Sequence, residues 1–158
     1  MTYFIGIDMG TTSTKAVAFV ESGDVILRQS NGYPIEHPHD DWSEQDPDLI
    51  FNAVVTGINQ IQTALSDKGT LQGISFSSAM HGVIAVDADY KLLTPCIIWA
   101  DNRSANIAES LRSHWKRRGK KIFEKTGTPL HAMSPLMKII WLRENAPDIF
   151  KKPPNSSA

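Results

Sequence analysis

Ile5-Gly-Ile-Asp8-Met-Gly10-Thr11-Thr12-Ser13-Thr14-Lys15-Ala-Val-Ala-Phe19 decides how the rest of the chain is read. An apolar run ends in one aspartate, turns through a glycine and four consecutive hydroxyl residues, then resumes as a second apolar run carrying one lysine. β-Branched and aromatic residues make strands of both runs, Tyr3 to Asp8 and Thr14 to Val20. The turn between them has two readings. Successive backbone N–H groups in a tight turn converge on an anion, and the hydroxyls of Thr11, Thr12 and Ser13 add donors. Gly10 allows close backbone approach and a positive φ. Lys15 adds a point charge, while Asp8, a poor partner for phosphate itself, suits a hydrated Mg2+ that bridges phosphate oxygens. In the other reading the same residues merely satisfy the backbone of a hairpin. The stretch is not the GxxxxGK[ST] loop, which puts a helix rather than a strand after its glycines.

Working outward, Ser22-Gly23-Asp24 is turn chemistry and Val25-Ile26-Leu27 starts a third strand, so the chain opens as a three-stranded antiparallel meander. Gly32 to Asp46, with Pro34 and Pro38, reads as an extended polar crossing segment. Asp46 then caps a helix with Pro47 at its first position. Leu49, Ile50, Ala53, Val54, Ile58, Ile61 and Leu65 form its apolar stripe, and Gly69 ends it. Leu71 to Ser77 follows as a strand, so strand–helix–strand predicts a right-handed parallel crossover. Val83 to Val86 and Cys96 to Trp99 are two more short strands around Asp87-Ala-Asp89. A second helix is expected from Ser104 to Arg118, and a third opens at Ser134-Pro135 and ends near Asn145-Ala-Pro147. The fold class is α/β: a mixed sheet with helices packed on its faces.

Two further segments carry chemistry. Ser77-Ser-Ala-Met80-His81-Gly82 lies just past the carboxyl end of the crossover strand, as Asp8 lies at the carboxyl end of the first. Ligands of sheets with parallel neighbours bind outside such ends, so both segments are expected to face one crevice. There His81 exchanges hydrogen bonds with a polar substrate beside an apolar Met80 wall, or else it is a surface turn residue. Trp99-Ala-Asp101-Asn102-Arg103 offers an aromatic platform and polar groups for a polyhydroxylated ligand. Its alternative is a buried Trp with an Asp–Arg pair fixing a helix start. His37, His39, Asp40 and Asp41 read as a solvated loop rather than metal ligands. The basic run Lys116 to Lys121 reads as a helix end complementing the dipole, with Gly119 as cap.

Composition narrows the classes. Sixteen basic and 17 acidic residues, a net charge of −1, argue against a nucleic-acid binder driven by bulk charge. The single cysteine, Cys96, excludes an internal disulfide and fits a reducing cytosol. No apolar run approaches the ~20 residues of a membrane span, and the amino terminus enters a strand pattern directly. A cytoplasmic protein with no membrane partner is the expectation.

Taken in order, Asp8-Met-Gly-Thr-Thr-Ser13, Trp42-Ser-Glu-Gln-Asp-Pro47, Met80-His81-Gly82, Trp99-Ala-Asp-Asn-Arg103 and Thr126-Gly127-Thr-Pro129 resemble the N-terminal half of the FGGY carbohydrate kinases. Met133-Ser-Pro135-Leu-Met-Lys138-Ile-Ile-Trp141-Leu-Arg-Glu144-Asn145 matches that family's signature at every constrained position. The wording of Ser77 to His81 and Thr94 to Ser104 is most similar to gluconate kinases, and xylulokinases share Met-His-Gly more loosely. The resemblance implies an actin-like, ribonuclease-H-like lobe over residues 1–150 and transfer of the ATP γ-phosphoryl group, with Mg2+, to a sugar or sugar-acid hydroxyl, gluconate favoured. It implies that Thr11, Thr12, Ser13 and Lys15 meet nucleotide phosphates and that Asp8 organises the metal. It places Met80, His81, Trp99, Asp101 and Asn102 at the sugar. The family's catalytic aspartate and adenine pocket lie in a second, C-terminal lobe, so no catalytic base is named here. Residues 151–158 read as a disordered or truncated tail, and the intact enzyme as a possible homodimer. A non-catalytic sugar- or nucleotide-binding remnant is the reading from outside enzymology.

Overall fold

A computed structural model of the chain describes residues 1–151, the side chains of Trp115 and Arg117 excepted. Apart from Lys151, the expected tail lies outside the described residues. The chain forms two compact units, Met1–Ile35 with Gln45–Met80 and Glu36–Glu44 with His81–Ala158.

In the first unit the meander forms as the strand patterns predict: β1 Thr2–Met9, β2 Ser13–Phe19 and β3 Val25–Gly32. β4 is the two-residue strand Glu44–Gln45, where the chain passes from one unit to the other. α1 spans Pro47–Leu65 and leads into β5, Thr70–Ser78, which lies parallel to β1. The sheet order is β3-β2-β1-β5, the mixed sheet expected from a hairpin pair plus one crossover. Tyr3, Ile5 and Ile7 of β1 and Ala16 and Ala18 of β2 bury one face against Val54, Ile61 and Leu65 of α1. The period-2 alternation therefore sends Asp8 to the other side, where it is exposed.

The Asp46 side chain accepts from the Asp48 N–H (2.8 Å), satisfying an orphan donor of the first turn. Gly57 lets α1 settle on the sheet: a Cβ there would stand 3.1 Å from Ala16 Cβ and 3.3 Å from Asn31 Nδ2. Two details differ from expectation. Leu49 is 42% exposed, because at 3.6 residues per turn it falls about 140° round the helix from the line through Val54, Ile61 and Leu65. The helix also stops at Leu65 rather than near Gly69, since the Lys68 and Gly69 N–H groups both fold back onto the Leu65 carbonyl.

In the second unit the two strands expected around Asp87 shrink to bridges, Val83 with Ile97 and Val86 with Leu92, and to β6, Cys96–Ile97. The Asp87 carboxylate takes the N–H groups of Asp89 and Lys91 and makes the turn itself. The single helix expected over 104–118 is broken. α2 is Ala105–Ser113, one π-helical turn follows over Trp115–Gly119, and α3 runs Lys120–Thr126 to a left-handed Gly127 cap. Gly119 thus keeps helical backbone (φ −58) and leads into α3 instead of stopping the helix. α4, Pro135–Asn145, begins at Ser134 as expected, and Pro147–Phe150 adds a 3-10 turn. Ala108, Leu130 and Met137 form this unit's core with Ile107, Leu111, Ile122 and Ile140 around it.

Candidate functional site

The turn between β1 and β2 is defined by where its carbonyls go. Gly10 O accepts the Tyr33 hydroxyl (2.6 Å), Thr11 O accepts Gln45 Nε2 (2.7 Å), Thr12 O accepts the Tyr33 N–H (3.1 Å) and Ser13 O accepts the Gly10 N–H (3.0 Å). All four oxygens that would repel an anion are bound to protein donors. Gly10 makes this possible by close approach, since a Cβ there would lie 3.2 Å from Ser13 O; its φ is not positive. Thr14, the fourth hydroxyl residue, is fully buried with its hydroxyl 3.4 Å from that of Tyr33, so it belongs to the core. Thr12 is exposed, and Thr11 and Ser13 are half-buried.

Asp8 and Lys15 are cross-strand partners in the β1–β2 register, both exposed, and Asp8 is also level with Ser77 of β5. One carboxylate with a cation on the same sheet face fits an ion that keeps most of its own water, as Mg2+ does, and offers no all-protein cage. Among the described residues no group of three or more His, Cys, Asp and Glu side chains could hold a metal. The His37 and His39 rings are engaged with Trp42: His37 Nδ1 donates to its carbonyl (2.9 Å), and the His39 ring meets the indole edge-on at 4.4 Å.

In the second unit the loop after β6 is organised around Arg103. Its Nε lies 2.9 and 3.0 Å from the two oxygens of Asp101, and its Nη2 donates to Asp101 Oδ2 (2.8 Å) and Glu44 Oε1 (2.5 Å). The guanidinium carbon sits 3.8 Å over the Trp42 ring and 5.2 Å from Trp141, and the two indoles pack edge to face. Carboxylates occupy the plane of the fork and indoles its faces, the arrangement that suits Arg and not Lys. Asp101 is fully buried and also accepts the Ser43 N–H (2.7 Å) and the Arg103 N–H (3.1 Å). This is the Asp–Arg pair at a helix start, one of the two readings the sequence left open. Trp99, however, is not the buried indole of that reading: it is 48% exposed. Asn102 is exposed, its N–H on Asp41 O (2.9 Å) and its Nδ2 on Ala100 O (3.2 Å).

Met80, at the end of the first unit, is 73% exposed. His81 opens the second unit in the left-handed region (φ 69), with its carbonyl on Lys138 Nζ (2.7 Å). Lys138 is fully buried, and burial lowers its pKa to about 8, partly countered by Asp101. Burial also pushes the Cys96 thiol up, opposed by Lys138.

Residues 3–154 match the N-terminal domain of the FGGY family of carbohydrate kinases. The chain belongs to the FGGY family. The gluconokinase of Bacillus subtilis (strain 168) is 47% identical over 150 residues, which are 95% of this chain and 29% of that protein. The crystal structure of a gluconate kinase from Lactobacillus acidophilus superposes with a TM-score of 0.89 at 36% identity. A ligand-bound xylulose kinase from the same organism gives 0.90 at 36% identity. Each covers 96% of this chain and 30% of its own. The chain thus spans under a third of the length of the relatives it matches, and its fold is the actin-like, ribonuclease-H-like α/β fold of their N-terminal lobes. This FGGY domain uses three residues that sequence reasoning did not single out: Tyr33, Gln45 and Lys138. Gln45 and Lys138 lie inside the motifs that carried the resemblance; Tyr33 had no local signal.

Proposed function

We propose that this chain is the N-terminal part of an ATP-dependent sugar-acid kinase, and that the whole protein phosphorylates gluconate to 6-phosphogluconate. Residues 1–150 are read as its N-terminal lobe. The observation that carries the reading is the Gly10–Ser13 turn, whose four carbonyls are all bound away by protein donors. A backbone with its acceptors so committed is suited to an anion. Phosphoryl transfer asks for little more than positioning and charge neutralisation. In this reading Thr11, Thr12 and Ser13 hold nucleotide phosphates and Lys15 adds its charge. Asp8 orients the water shell of a Mg2+, which when bound neutralises phosphate charge.

Met80, His81, Trp99 and Asn102 are assigned to the sugar acid. Asp101, with both oxygens on Arg103, serves through the loop that it fixes. The similarity to the gluconokinase of B. subtilis supports gluconate as acceptor. A xylulose kinase structure is 36% identical to the chain, the same as the gluconate kinase structure, and keeps xylulose as the second reading. The resemblance puts the family's catalytic aspartate in a C-terminal lobe and the chain spans 29% of the B. subtilis gluconokinase, so the 158-residue polypeptide alone is expected to show no turnover in a coupled ATP/gluconate assay.

Side-by-side titrations of isotope-labelled chain with gluconate and xylulose test the acceptor. Saturable shifts at His81 and Trp99 with gluconate alone are expected. A response to xylulose alone selects the second reading, and a response to neither removes both.

A further inference from the structure

We propose that Lys138 is a positioning residue whose buried ammonium clamps the His81 carbonyl and so sets the direction in which the His81 imidazole leaves the chain. The assignment of that imidazole to substrate rests on the proposed function; the clamp does not.

Lys138 lies in α4 among apolar neighbours, Leu136, Met137, Ile139 and Ile140. A lysine on such a helix normally runs its stem to the surface and leaves its charge in water. This one has no exposed surface at all. Burying an ammonium is unfavourable unless its protons find acceptors, and Nζ finds two backbone carbonyls, His81 O at 2.7 Å and Met133 O at 3.1 Å. A methionine would fill similar space without that penalty. What the ammonium adds is a link between the turn at His81 and the residue preceding the α4 cap, Ser134.

His81 is one of two non-glycine residues at positive φ among those described. That conformation is uncommon for residues with a side chain and persists when the surroundings over-determine it. Here they do so from both sides. Beyond His81, the Val83 and Ile97 backbones exchange hydrogen bonds of 3.0 and 2.9 Å, and Gly82 lies so near Cys96 that a Cβ would be 3.3 Å from its sulfur. On the other side stands the Lys138 ammonium. Rotating His81 to negative φ swings its carbonyl and its Cα–Cβ bond together about the N–Cα bond, so holding the carbonyl on Lys138 opposes that rotation.

The test is nuclear magnetic resonance on the labelled chain, wild type against Lys138→Met. In the variant, the φ-dependent couplings and carbonyl shift of His81 are expected to leave the left-handed range. The amides of Gly82 and Val83 should move while those of α1 stay. The dissociation constant for gluconate should rise about tenfold. A folded variant with His81 couplings unchanged overturns the proposal.

His81→Gly combined with Lys138→Met supplies a second check, because glycine takes positive φ unaided. The double variant should fold even if the single does not, with Gly82 and Val83 resonances close to wild type. A double variant that fails to fold or to restore them overturns the clamp. If gluconate leaves wild type unmoved while His81 responds to Lys138→Met, the clamp stands and the substrate reading falls.

Discussion

Arg103 and Lys138 are two buried cations with opposite consequences. Arg103 is matched on every side, by Asp101 and Glu44 in its plane and Trp42 and Trp141 on its faces. Lys cannot reproduce that fork, so Arg103→Lys leaves Asp101 buried and under-paired. It should destabilise the chain by about 3 kcal/mol, read by chemical denaturation, within the range for breaking a buried ion pair; a loss within error of zero would contradict the network. Lys138 has a folded-state pKa of about 8 against an ordinary 10.5, chiefly from burial. Between those two pH values the unfolded chain binds the extra proton, so Lys138 makes stability rise with pH across that window and adds its full penalty below it. Denaturation from pH 8 to 10 should therefore give a more positive slope for wild type than for Lys138→Met, and parallel slopes would contradict the assignment. Neither behaviour is legible in sequence. A lysine in a helix reads as a solvated charge, and the partners of Tyr33 and Gln45 lie 23 and 34 residues away along the chain, visible only once the chain has folded.

Elements with local signals formed where the sequence indicates. The β1–β2–β3 meander, the Asp46-Pro47 start of α1 and the Ser134-Pro135 start of α4 each depend on residues within one turn of the event. The region from Ser104 to Thr126 departed because its signals conflict. Lys116 to Lys121 looks like a charged helix end with a glycine stop, yet the backbone passes through a π-helical turn at Trp115–Gly119 and continues as α3. Gly57 shows how closely an element seat can be specified, with α1 resting on β2 and β3 through a position that has no side chain. Gly57→Val adds two methyls beyond a Cβ already at 3.1 Å from Ala16. It should cost about 2 kcal/mol of stability by overpacking, in thermal or denaturant unfolding. An unchanged midpoint would show that α1 has room to lift.

For the molecule as a whole, the chain is a family domain spanning under a third of its relatives' length, and it folds as two compact units. In the first unit's sheet β5 is an edge strand of nine residues, Thr70–Ser78, without a single charge, and it leaves Ile74 38% and Phe76 58% exposed. Uncharged exposed edges favour pairing between chains, so the isolated polypeptide should self-associate weakly at high concentration. Phe76→Lys should reduce that in sedimentation experiments; association unaffected by the change would place it elsewhere. The central claim is that the Gly10–Ser13 turn holds the phosphates of ATP, and titrating isotope-labelled chain with Mg2+-ATP tests it most directly. The account predicts saturable shifts at Thr11, Thr12, Ser13 and Lys15 with a dissociation constant on the order of millimolar, weakened by Asp8→Asn. Shifts confined to the Lys116–Lys121 basic run, or none at the turn, would contradict it.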